Sequence, residues 1–71
     1  MKDDKQLLKD LLLEYKELVL KINRLNRFMT TYFMDLEVIE IEQLDTQLCY
    51  MNGYRDSLFC RINDTRRKFN I

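Results

Sequence analysis

The chain has no histidine, no proline, a single glycine and a single serine. Lacking histidine, it lacks the commonest general base and the commonest metal ligand. Ser57 has no evident base to activate it, so nucleophilic catalysis has no carrier. Cys49 and Cys60 stand eleven residues apart and form no zinc-binding pattern. No apolar run reaches the roughly 18 residues that a membrane span requires. Neither sign of charge is in excess: twelve basic and twelve acidic groups cancel, whereas general nucleic-acid binding needs a basic surplus. Together these absences predict no catalytic residue, no metal, no cofactor and no membrane. They suit a protein of the cytoplasm, where two free thiols stay reduced.

With no proline, nothing stops a helix outright. Leu8, Leu11, Tyr15, Leu18, Ile22, Leu25 and Met29 follow alternating steps of three and four, and Ile41, Leu44, Leu48, Met51, Leu58 and Ile62 resume them. That spacing holds one apolar seam along a helix face. The prediction is all-α: a helix over about 4–29, a connection over about 30–35 and a helix over about 36–68, in one domain of residues 1–71. Asp3 and Gln6 have the spacing of a capping box, and Asp35 is the candidate N-cap of the second helix. Gly53 is the weak point. A glycine costs ~1 kcal/mol inside a helix, so both a continuous helix and a kink near Gly53 fit. On a continuous helix the cysteines lie ~16 Å apart along the axis, beyond the roughly 7 Å that a disulfide spans.

Charge sets the direction of the pair. Residues 1–29 carry seven basic and five acidic groups, residues 30–46 five acids and no base, and residues 47–71 five basic and two acidic groups. An antiparallel two-helix hairpin lays Lys21, Arg24 and Arg27 beside Glu37, Glu40 and Glu42, and the basic tail beside Asp3, Asp4 and Asp10. A short connection demands the same arrangement. The three cations also fall in the closing turns of the expected first helix, where they complement its dipole.

Two helices shield one stripe of each other and enclose no core, and chains this short usually need a partner. Hairpins are therefore expected to assemble into an oligomeric bundle. The candidate interface is Leu8, Leu12, Tyr15, Val19, Ile22, Leu44, Leu48, Met51 and Leu58. A ligand site is legible too. Arg24 and Arg27 share a face with Lys21 and present guanidinium forks to phosphate or carboxylate. Tyr50, Tyr54 and Arg61 share a flank of the second helix, where a ring beside an arginine can stack a base and neutralise its phosphate. The candidate ligand residues are Lys21, Arg24, Arg27, Tyr54 and Arg61. Each also has a structural reading, as an extension of the seam or a partner of a glutamate.

Lys21, Ile22, Leu25 and Phe28, then Leu44, Gln47, Leu48, Met51, Tyr54, Leu58, Arg61 and Ile62, form the pattern K-I-x-x-L-x-x-F followed by L-x-x-Q-L-x-x-M-x-x-Y-x-x-x-L-x-x-R-I. On these residues the chain resembles a family of short phage helical-hairpin proteins, one of which comes from a crAss-like phage. Gln47, Tyr54 and Arg61 are the distinctive positions. More distantly, the chain is similar to the oligomeric phage sponges that trap nucleotide signals of CBASS or Thoeris defence. The resemblance implies a non-enzymatic accessory protein of the infected bacterial cytoplasm. It would counter immunity by sequestering an anionic cyclic-nucleotide or ADP-ribose-type signal between protomers. Two rivals stand beside that expectation: an inhibitor or adaptor that docks a helical face on a host defence enzyme or nuclease, and a purely structural dimerisation module.

Overall fold

The computed structural model describes residues 4–70. Helix α1 runs Asp4–Tyr32, a short 3-10 turn follows over Phe33–Asp35, and helix α2 runs Val38–Phe69. The helices fold back on each other as an antiparallel hairpin, a rod of 48 × 18 × 15 Å. Tyr15 meets Phe59 with ring centroids 6.2 Å apart, and the Tyr54 hydroxyl reaches Glu14, which fixes the register.

The three-four seam is the inner face. Leu11, Ile22, Leu48, Leu58 and Ile62 are buried, and Leu8, Tyr15 and Leu18 pack around the Leu11, Leu58 and Ile62 cluster. Burying each such aliphatic side chain contributes about 1.5–3 kcal/mol. At the step between Met51 and Leu58 the seam carries Arg55, half-buried and paired with its neighbour Asp56 at 3.3 Å. The long stem of an arginine can lie on apolar surface while its head stays in water.

Three expectations about the ends need correction. First, α1 continues three residues past Met29. The Thr30 hydroxyl donates to the Asn26 carbonyl at 2.9 Å, and the Phe28 and Tyr32 rings pack 5.0 Å apart one turn from each other. With no glycine or proline to oppose them, these local contacts extend the helix. Its last turn consequently holds no basic residue, so Lys21, Arg24 and Arg27 lie short of the dipole's end. Second, Asp35 does not cap α2, because it sits in the 3-10 turn; Glu37 takes the N-cap place, with no side-chain hydrogen bond. Leu36 has extended backbone between them and is half-buried, which returns the chain toward the seam. Third, Lys21, Arg24 and Arg27 form no ion pair with Glu37, Glu40 or Glu42 among the described residues. Asp3 of the expected capping box lies outside the described residues.

Helix α2 runs through Gly53 without a break into two segments. It ends on Arg66, Arg67 and Lys68, where cations complement the dipole, and Asn70 closes it in the left-handed conformation with φ 56°. Cys49 and Cys60 are free and exposed along this helix.

Candidate anion-binding flank

A residue seven positions on returns to nearly the same helical face. On α1 that ladder is Leu7, Glu14, Lys21 and Phe28; on α2 it is Glu40, Gln47, Tyr54, Arg61 and Lys68. The hairpin brings the two ladders together on one flank. Lys21, Arg24, Leu25 and Phe28 from α1 and Gln47 and Met51 from α2 line a groove of about 450 Å³. A smaller groove of about 270 Å³ continues from it toward the tip, sharing Phe28 and Gln47 and adding Glu40 and Gln43.

Farther along the same flank, the Tyr54 hydroxyl donates to the Glu14 carboxylate. That hydrogen bond holds the phenol's pKa above its ordinary value, with desolvation and the Glu14 charge acting in the same direction. The Arg61 charge works the other way. Lys21, Arg24 and Arg61 are exposed and form no ion pair among the described residues. Unpaired cations beside an apolar floor of Leu25, Phe28 and Met51 can accept phosphate or carboxylate while the floor covers a flat ring.

Of the candidate ligand residues, Lys21 and Arg24 thus share one groove, and Tyr54 and Arg61 lie about two turns apart on the same face of α2. Arg27 lines neither groove; it belongs to the ladder of Leu13 and Leu20, which is exposed. The opposite flank has its own groove of about 470 Å³, lined by Asn26, Met29, Thr30, Phe33, Asp45 and Leu48. One carboxylate and no cation make it unsuited to an anion. Sequence reasoning passed over Glu14 as a partner of Tyr54 and Phe28 as a groove wall. The signal for both was the seven-residue ladder, which outranks nearest-neighbour spacing when two helices pack.

Of the candidate interface residues, Ile22, Leu48 and Leu58 are buried inside the single hairpin, and Leu8, Tyr15, Val19, Leu44 and Met51 are half-buried. Leu12 stays exposed. Among the described residues no group of three His, Cys, Asp or Glu could hold a metal ion, and no helix is long and apolar enough to cross a membrane.

Nothing matches among curated proteins or among solved structures. A protein-family model does match: Sequestin, over residues 5–64. That span takes in Lys21, Arg24, Phe28, Gln47, Tyr54 and Arg61, and with them nearly the whole hairpin. The match extends across well over half of the sequence, and the chain belongs to the Sequestin family.

Proposed function

We propose that this chain is a non-enzymatic phage accessory protein that blunts bacterial immunity by holding an anionic nucleotide signal, of cyclic-nucleotide or ADP-ribose type, between copies of itself. The observation that carries the reading is the flank where Lys21 and Arg24 stand over an apolar groove and Arg61 follows Tyr54 about two turns along α2, all three cations without ion-pair partners among the described residues. Phosphates suit the guanidinium forks and the lysine, and Phe28 and Tyr54 supply ring faces for a base. The family's name, which speaks of sequestration, supports holding a molecule over converting it. A groove open to solvent on one hairpin closes only when something packs over it, which is why the site belongs to an assembly.

The test is calorimetry and thermal melting with cyclic di- and trinucleotides and cyclic ADP-ribose derivatives. Binding of at least one, weakened about tenfold or more by Arg61→Ala and by Lys21→Ala with helicity unchanged, is the expected outcome. If the whole panel leaves the melting temperature unmoved, the nucleotide reading fails.

A second reading rests on a different observation. At the hairpin's closed end Tyr32, Phe33, Met34, Val38 and Ile39 are exposed side by side, with Asp35, Glu37, Glu40 and Glu42 around them. Such an apolar tip with an acidic rim suits docking on a basic-rimmed surface of a host defence enzyme or nuclease. That function predicts a stoichiometric protein complex and no nucleotide binding.

A further inference from the structure

The two seven-residue ladders of the anion-binding flank are each complementary to their own reverse. Read antiparallel against a copy of itself, the α1 ladder sets Leu7 on Phe28 and Glu14 on Lys21. The α2 ladder sets Glu40 on Lys68, Gln47 on Arg61 and Tyr54 on Tyr54. Apart from the Tyr54 self-pair, which sets ring against ring, every step pairs apolar with apolar, acid with base, or amide with guanidinium. The midpoint of the first ladder lies between Glu14 and Lys21, and that of the second is Tyr54.

Those midpoints stand at one level of the rod. Tyr54 bonds to Glu14, and Tyr15 meets Phe59, five residues beyond Tyr54. The level of Tyr54 on α1 therefore falls between about residues 14 and 20, a stretch that brackets the α1 midpoint. One rotation axis consequently satisfies both ladders. The long-range charge agrees, since residues 30–46 carry five acids and no base, while Arg61, Arg66, Arg67 and Lys68 gather at the opposite end.

We infer that a second copy of this chain docks flank to flank, antiparallel along the rod, about a two-fold axis passing by Tyr54. This is an isologous contact, closed by its own symmetry. Each acidic tip lies over the basic end of its partner, and opposite potentials are what set the orientation of such a contact. Leu7, Phe28 and Tyr54, all exposed in the single hairpin, become covered. The inference deepens the proposed function, resting on its claim that copies associate: each copy's groove gains a wall, Arg24 and Arg61 stay open to an anion, and Lys21 is shared between the anion and the facing Glu14. The pairing itself is measured without ligand.

The test combines mass with orientation. Light scattering of the full chain should give two protomers. Glu40→Lys alone and Lys68→Glu alone should each weaken dimerisation on the order of tenfold, since each turns two attractive pairs repulsive, and the double variant should restore it. For orientation, Cys49→Ser and Cys60→Ser, both at exposed positions, provide a background free of thiols. Met34→Cys, at a position 91 % exposed, then carries a spin label at the tip without disturbing packing. Tip-to-tip distances should approach the 48 Å length of the rod. A monomer at every concentration overturns the association and the between-copies site, yet leaves nucleotide binding to be measured separately. A dimer with closely spaced tips overturns the antiparallel arrangement alone. A dimer indifferent to the Glu40 and Lys68 variants but broken by Phe59→Glu assigns the contact to the opposite flank and overturns the surface named here.

Discussion

Tyr54 shows how one side chain reports on its flank. Its phenol donates to Glu14 and lies within the field of Arg61, and the net result is a pKa above the ordinary value of about 10. The folded state therefore holds this proton more tightly than the unfolded chain. The resulting stability is complete below pH ~10 and is lost as pH rises through the folded-state value. In an alkaline titration Tyr54 should give its tyrosinate absorbance above the ordinary phenol range, and Glu14→Gln should bring its transition back toward that range. If Glu14→Gln leaves the Tyr54 transition in place, the hydrogen bond is not what holds the proton. The residue types at this flank were legible in the sequence, since Lys21, Arg24, Tyr54 and Arg61 were singled out there. Their grouping was not. Arg24 and Arg27 are near in sequence, but only Arg24 lines the groove, because three further residues turn Arg27 toward the ladder of Leu13 and Leu20.

At the scale of the element, the seam does the stabilising and the outer faces are permissive. Leu58 is 1 % exposed, and Leu58→Ala should cost about 2–5 kcal/mol. With five buried side chains among the described residues, that loss should appear in chemical denaturation as a collapse of the midpoint. Gly53 tests the opposite face. It sits inside α2 with nothing within 4 Å of where a Cβ would stand, so Gly53→Ala meets no neighbour and relieves an unfavourable helix propensity. Thermal melts should show a gain of roughly 0.5–1 kcal/mol. A destabilised Gly53→Ala hairpin would indicate that something packs closely on this face. The seam, the antiparallel direction and the continuity available to α2 could all be read from spacing. The cap of α2 could not, because Asp35 has the right chemistry for an N-cap but the 3-10 turn claims it first.

For the whole molecule, the ratio of shielded to open apolar surface decides behaviour. Leu13, Leu20, Phe33, Met34, Val38, Ile39 and Phe59 remain exposed after the hairpin has closed. Two packed helices have no third layer to receive them. Association that removes such surface stabilises the folded state by mass action, so the melting temperature should climb as protein concentration is raised a hundredfold. Added salt should weaken that dependence, because the matched ends are exposed charges and are screened. A melting temperature independent of concentration would show that the hairpin is stable alone.

The alternating three-four seam and the absence of proline determined, without any structure, that this chain forms two long helices. The short connection between them required an antiparallel course. These are properties of period and connection length, which a linear chain displays openly. Tertiary structure alone decided which cations share a groove, that Tyr54 meets Glu14 forty residues away in sequence, and how much of the apolar stripe one hairpin consumes. The physical reason is rotational: at roughly 100° per residue, the position of a side chain around its helix matters only once the second helix has been laid against it at a definite level.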